Sequence, residues 1–215
     1  MEILTTNHAQ IPPLIGEIHR QKDIKFCSML DVGSGLRTSE KWFRNAQFST
    51  SPKDYCAAET DPEMVKVLQA RQIQTIDPMK EDKRSDLVVA LEVLEHLLPE
   101  DSPDFLKFCE RNTQKVFAIT VPNFEYWATL KADGEMKECR WVPDHFKDFK
   151  PTSNNPHHHK QEMTPTILDD YFRSVFDTAR WEYRIYRAWP WRLTDISRDR
   201  EFFLYFKLFA IAIRK

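Results

Sequence analysis

Apolar positions along the chain alternate between two periods. Short, nearly continuous apolar runs, KFCSMLDVG (25–33), DYCAAET (54–60), IQTID (73–77), SDLVVAL (85–91) and KVFAITV (115–121), read as five buried strands. Two stretches between them have helical spacing. In 61–72, Pro62 sits in the first turn, with Met64, Val65 and Leu68 on one face. In 101–112, Asp101 or Ser102 can cap, and Phe105, Leu106 and Cys109 line one side. Strands alternating with helices predict an α/β domain whose right-handed crossovers build a mostly parallel sheet.

After Val121 the pattern dissolves. Residues 122–163 are rich in Pro, Asn, Lys, Asp and His without a clear period, and an irregular lid or acceptor segment is expected there. A helix resumes at 164–176, with Thr164 placed to cap it and Pro165 in its first turn. Residues 180–189 alternate as a strand and 201–215 form a long apolar terminal strand. These two are expected to pair antiparallel across a loop containing Pro190. No internal repeat divides the chain, so residues 1–215 are expected to form a single domain.

Composition narrows this picture in three ways. The 215 residues are 41% hydrophobic, enough for a sizeable core. A formal net charge of −2 provides no global basic field for long nucleic acid, although a local basic patch stays open. The four cysteines have no CxxC spacing, which fits reduced thiols in a cytoplasmic setting. No apolar run approaches about 18 residues and the first twenty residues hold no secretory core, so no membrane partner is expected. Oligomeric state is not set by these features.

The chain has only four glycines, and two of them stand in SMLDVGSG (28–35). A strand that ends in Gly-x-Gly lets backbone approach a ligand closely. A plain tight turn is one reading, and a nicotinamide or flavin dinucleotide site is another. Charge argues against the second. A pyrophosphate over this turn would meet the Asp31 carboxylate, and the third glycine of GxGxxG is replaced by Thr38. A ligand that carries an ammonium and no phosphate suits the carboxylate, and S-adenosylmethionine is such a ligand.

LDVGSG resembles the first motif of the class I S-adenosylmethionine-dependent methyltransferases, and LVVALEVLEHL (87–97) resembles the strand and turn that follow their adenosyl site. The resemblance implies a Rossmann-like, seven-stranded, mostly parallel α/β sheet with an antiparallel last strand. It also implies a methyl transfer to an O or N acceptor, with a small molecule as the first candidate partner. Gly33 and Gly35, with Ser34 between them, would face the methionine moiety, and Asp31 would meet its ammonium. Glu59 would bind the ribose hydroxyls beside Thr60, at slightly more than the expected spacing of about 20 residues. Asp61 is the rival for that role, although Pro62 favours a capping job for it. Asp77, Pro78 and Met79 would border the adenine, and Leu91 and Glu92 would close the site. The loop after the first motif departs from the family in carrying Arg37 and Trp42.

In LEVLEHL, Glu92, Glu95 and His96 recur at i, i+3 and i+4, which predicts one helix face at the carboxyl edge of the sheet. A distant triplet, His157 to His159, adds imidazoles. Two carboxylates with one or two imidazoles suit a divalent ion able to polarise a hydroxyl acceptor. This arrangement resembles the small-RNA 3′-terminal 2′-O-methyltransferases, as do VPNFEY (121–126) and HKQEMT (159–164). By that resemblance the metal ligands would be Glu92, Glu95, His96 and His159, and the acceptor an RNA end. Gln161 and Met163 stand where that family has aromatics. The alternative is a metal-free enzyme in which His96 or His159 serves as general base, since an imidazole titrates near neutral pH. A third reading keeps the fold as a non-catalytic S-adenosylmethionine-binding scaffold. Phe124, Tyr126, Trp127, Trp141, Phe146 and Phe149 are candidates for an acceptor pocket or for the core.

Overall fold

A computed structural model describes residues 3–35, 54–125, 159–195 and 200–215. Eight strands form one sheet. They are β1 (Ile3–Thr6), β2 (Ser28–Val32), β3 (Asp54–Ala58), β4 (Gln74–Ile76), β5 (Ser85–Leu91), β6 (Thr113–Pro122), β7 (Trp181–Asp195) and β8 (Arg200–Arg214), in the spatial order β1-β7-β8-β6-β5-β2-β3-β4. All neighbouring pairs are parallel except those of β8, which runs antiparallel between β6 and β7. The expected antiparallel pairing of the last two strands is present. The expected seven strands become eight because β1 adds to the free edge of β7, with Ile3 opposite Ile185.

Among the described residues four helices cover the sheet: α1 (Ile11–Lys22), α2 (Pro62–Ala70), α3 (Ser102–Asn112) and α4 (Pro165–Val175). Helix α1 lies in an N-terminal stretch for which the apolar pattern predicts no element. Pro at its start fits the first turn, where the backbone N–H has no intrahelical partner, and Leu14, Ile15 and Ile18 supply the buried stripe. Asp61 caps α2, its carboxylate accepting from Glu63 N at 2.8 Å, and Thr164 caps α4 by accepting from Ile167 N at 3.3 Å.

The sheet separates two apolar cores. One face packs Met29, Leu87, Val89 and Phe209 against α1. The other packs Leu30, Val88, Phe117 and Ile119 against α3 and α4. In the second core the rings of Phe172 and Phe176 stack at 4.8 Å between centroids, and Phe117 stacks on both, at 6.0 and 5.5 Å. Cys56 and Cys109 are buried free thiols, and burial raises both, Cys56 to about 11, as expected of inert core residues. Arg37, Trp42, Tyr126, Trp127, Cys139, Trp141, Phe146, Phe149, His157 and His158 lie outside the described residues, as does most of the segment 122–163. Among the described residues no helix is long and apolar enough to cross a membrane.

Phe172 is fully buried in the aromatic stack and distant in sequence from the carboxyl-edge turns. Phe172→Ala is expected to lower unfolding free energy by about 3–5 kcal/mol, read by urea denaturation. A loss below about 1 kcal/mol would mean that the stack does not anchor α4.

Candidate functional site

The parallel strands β2, β3, β4, β5 and β6 all end at one edge of the sheet, and the residues singled out from sequence gather there. Gly33 and Gly35 have φ of 67° and 54°, the left-handed region open to glycine. Gly33 N donates to Ala58 O at 2.8 Å, turning the chain tightly off β2. A Cβ at Gly33 would lie 2.8 Å from Val93 Cγ2, so the turn packs directly against the one that follows β5. Gly35 N donates to Glu59 Oε2 at 3.0 Å, while Glu59 Oε1 accepts from Thr60 N and Asp61 N at 2.8 and 3.1 Å. The Glu59 carboxylate therefore joins the ends of β2 and β3.

A cleft of about 410 Å³ opens beside these turns, and Asp31, Gly33, Ser34, Leu91 and Glu92 border it. Asp31 is 2% exposed and accepts from Tyr55 Oη at 2.6 Å. The cleft thus joins a buried carboxylate to open backbone, which suits a ligand with an ammonium group. Asp77 lies past the end of β4, accepting from Met79 N at 2.9 Å and pairing with Lys80 at 2.7 Å. The Lys80 hydrogen bond, then that from Met79, holds the Asp77 carboxyl below its ordinary range. Pro78 is half-buried and Met79 is 82% exposed.

The 92–96 turn departs from its expected helix. Glu92 has φ 58°, and only Leu94–His96 form a single 3-10 turn. The left-handed residue breaks the helical face, so Glu92 diverges from Glu95 and His96. Glu92 Oε1 accepts from Thr120 Oγ1 at 2.7 Å and pairs with Lys207 Nζ at 3.1 Å on the cleft side. Glu95, His96 and His159 do come together, with one ligand atom from each within 4.8 Å of the others. The His96 and His159 rings meet edge to face with centroids 4.8 Å apart. Glu95 is 1% exposed, and neither carboxylate oxygen has a hydrogen-bond partner among the described residues. Burial, then the neighbouring Glu92 charge, pushes its carboxyl well above the usual carboxylate range. Of the four ligands suggested by resemblance, the structure gathers these three around one point and puts Glu92 in the adjoining cleft.

The segment after the undescribed stretch is strapped down by backbone bonds. Lys160 N donates to Glu95 O and Phe124 N to Met163 O, both at 2.8 Å. Gln161, which replaces an aromatic of the resembled family, donates through its amide to Leu94 O and Leu97 O at 2.9 Å and to Ser102 Oγ at 2.7 Å. Its Oε1 accepts from Tyr171 Oη at 2.6 Å. The PNFE turn is fixed by Asn123 Nδ2 donating to Tyr205 O at 2.8 Å and by a two-pronged Arg187 pair with Glu125. Sequence reasoning missed Tyr55, Thr120, Trp189 and Lys207. For Lys207 a signal existed, because it is the single charge in the terminal run FFLYFKLFAIAI.

Gly33→Ala places a side chain at positive φ against Val93. It is expected to cost about 1–3 kcal/mol of stability and to disturb the 92–96 turn, visible as altered His96 and His159 imidazole resonances by NMR. Unchanged stability and spectra would show that the two turns are not packed as described.

No family model matches the chain, and no curated protein matches it in sequence. Solved structures do match in fold. A SAM-dependent methyltransferase from Archaeoglobus fulgidus aligns over 95% of this chain and 94% of its own, with TM-score 0.56 and 14% identity. The plantazolicin methyltransferase BpumL, in complex with a triazolic desmethylPZN analog and SAH, aligns over 95% and 83% with TM-score 0.62 and 10% identity. Magnesium protoporphyrin IX methyltransferase (ChlM) from Synechocystis PCC 6803, with bound SAH, aligns over 95% and 81% with TM-score 0.53 and 12% identity. With its strand order and its antiparallel β8, the chain has the fold of the class I S-adenosylmethionine-dependent methyltransferases.

Proposed function

We propose that the protein is an S-adenosylmethionine-dependent methyltransferase that acts on a hydroxyl acceptor with the help of a divalent cation. The cofactor reading rests on the cleft, where Asp31 suits the ammonium and Gly33 and Ser34 the methionine backbone, and on Glu59 outside its lining, which is tied to the same turn through Gly35 N and suits the ribose hydroxyls. Asp77 and Met79 are the adenine candidates.

The observation that carries the cation is Glu95. A carboxylate with both oxygens buried and unpartnered is costly unless a positive charge or a proton joins it, and two imidazoles lie within ligand distance. Glu95, His96 and His159 offer an O/N donor set that suits Mg, Mn, Fe or Zn. When bound, such an ion polarises the acceptor hydroxyl. The acceptor oxygen attacks the sulfonium methyl in line. The carbon–sulfur bond breaks to leave a neutral thioether, and the acceptor hydroxyl gives up its proton to water; in the metal-free reading an imidazole of His96 or His159 would take that proton instead. Glu92, beside both the cleft and this cluster, orients groups between them through Thr120 and Lys207.

For the acceptor, the VPNFEY and HKQEMT motifs together with the gathered Glu95, His96 and His159 favour the terminal ribose of an RNA. A small-molecule acceptor is the second reading. The net charge of −2 favours it, as do fold neighbours whose printed ligands and names concern a peptide-derived analogue and a porphyrin.

Asp31→Ala and Glu59→Ala are each expected to weaken S-adenosylhomocysteine binding by about 10–100-fold, equivalent to about 1.5–3 kcal/mol, measured by calorimetry. Binding of a nicotinamide dinucleotide instead would overturn the cofactor reading.

Metal analysis of the purified protein should find about one divalent ion per chain, lost in Glu95→Gln. Chelation or Glu95→Gln should reduce methyl transfer by about a hundredfold or more while leaving S-adenosylhomocysteine affinity within about twofold. A screen with labelled methyl donor should show transfer to short RNAs with a 3′-terminal 2′-hydroxyl and none to 2′-deoxy-ended controls. Transfer to metabolites alone, insensitive to chelation, would support the metal-free small-molecule enzyme.

A further inference from the structure

The candidate cation cluster draws its donors from two stretches far apart in sequence, and one side chain joins them. Glu95 and His96 stand on the 94–97 turn, and His159 opens the strap that returns over it. Three carbonyls of that turn face the two residues that follow His159. Lys160 N donates to Glu95 O at 2.8 Å, and the Gln161 amide nitrogen lies 2.9 Å from both Leu94 O and Leu97 O. The same nitrogen lies 2.7 Å from Ser102 Oγ, at the start of α3, and Gln161 Oε1 accepts from Tyr171 Oη of α4 at 2.6 Å. A carbonyl oxygen can only accept, which fixes the amide nitrogen on the turn side and leaves Oε1 for the Tyr171 hydroxyl. The Gln161 carboxamide is thus held from three elements and is 8% exposed. A cavity of about 30 Å³ lies against the cluster, bordered by Glu95, His159 and Gln161, and is large enough for a water-sized species.

An apolar side chain of the same length would fill the space without the cost of burying an amide. What the carboxamide adds is a fixed separation between strap and turn, two residues from His159. We propose that Gln161 is a positioning residue of the cation site, holding His159 against Glu95 and His96 before an ion arrives. This rests on the cation reading above and extends it to a residue outside the three donors. Groups that orient metal ligands affect affinity through those ligands. Without the anchor, His159 is brought in at each binding event, and the ordering it requires is subtracted from the affinity. Tyr171 acts one step further out, by orienting the carboxamide.

The test titrates the full chain with Co(II), followed by calorimetry and by the visible absorption of the bound ion. The wild type should bind about one Co(II) per chain. Gln161→Met, which keeps the length and removes both polar ends, should weaken Co(II) binding by about 10–100-fold. Tyr171→Phe leaves Gln161 in place and removes its orienting donor. It should weaken binding by about three- to tenfold, and the double variant should bind no more weakly than Gln161→Met alone. Ile18→Val opens a cavity on the opposite face of the sheet and should leave Co(II) affinity within about twofold, as should S-adenosylhomocysteine affinity in every variant. Should Gln161→Met not fold, Tyr171→Phe alone decides. Wild-type binding with both strap variants within about twofold of it would overturn the positioning role and leave the cation site standing. Equal weakening in Ile18→Val, or a parallel loss of S-adenosylhomocysteine affinity, would assign the effect to stability and overturn the role as well. If the wild type binds no Co(II), the cation reading fails and takes this inference with it.

Discussion

The insertion of β8, antiparallel, between β6 and β7 is the constraint on which the site depends. Every other strand of the sheet runs in one direction, so their carboxyl ends supply turns to a single edge and their amino ends supply none. β8 enters at that edge instead of leaving it. It brings Lys207 and Phe209 to the cleft in register with Pro122 and Thr120 on β6 and with Ala188 and Tyr186 on β7. The same pairing presents Tyr205 O to Asn123, fixing the turn from which the chain leaves β6. Ladder hydrogen bonds on both sides make β8 an interior strand, which explains why its run is almost wholly apolar and why a single lysine there stands out.

A second constraint is the cost of burying Glu95. Isolated in an apolar interior, a carboxylate either takes a proton or finds a positive partner. Backbone bonds from Lys160 N to Glu95 O and from Phe124 N to Met163 O hold the 159–163 strap over the turn, and the Gln161 side chain lies within hydrogen-bond reach of four polar groups, those of Leu94, Leu97, Ser102 and Tyr171. The strap brings His159 to the carboxylate and keeps it only 7% exposed. Polar groups around the cluster are thus paired with one another, which concentrates the unsatisfied chemistry on the Glu95 oxygens. A region arranged only for packing has no need of that concentration.

Local signals were sufficient for much of this architecture. The strand runs, the helices beginning at Pro62, Ser102 and Pro165 and the antiparallel terminal pair follow from period and from proline and cap chemistry, which act within a few residues. The glycine pair with Asp31, and Glu59 at the next strand end, were legible because a tight turn with positive φ and carboxylates at strand ends need particular residue types at short spacing. Two local readings failed for physical reasons. Helix α1 was hidden by Pro12 and Pro13, which discourage a helix interior but suit its first turn. The expected helix through Glu92, Glu95 and His96 does not form, because packing of Val93 against Gly33 accompanies a left-handed Glu92.

What the sequence determined by itself was therefore the fold class, the carboxylates of Asp31 and Glu59 at the ends of β2 and β3, and the identity of the candidate Glu and His residues. Tertiary structure alone decided which of them meet. Glu95 and His96 are neighbours in the chain, but His159 reaches them only through hydrogen bonds that span more than sixty positions, such as those of Gln161 with Leu94 and Leu97. Lys207 and Glu92 meet because β8 is inserted beside β6, and Ala188 stands opposite Lys207 through strand register. Periodicity and caps are short-range effects that a linear pattern records. The pairing of distant strands and the burial of a charge depend on how the whole sheet closes around them, and no local pattern carries that information.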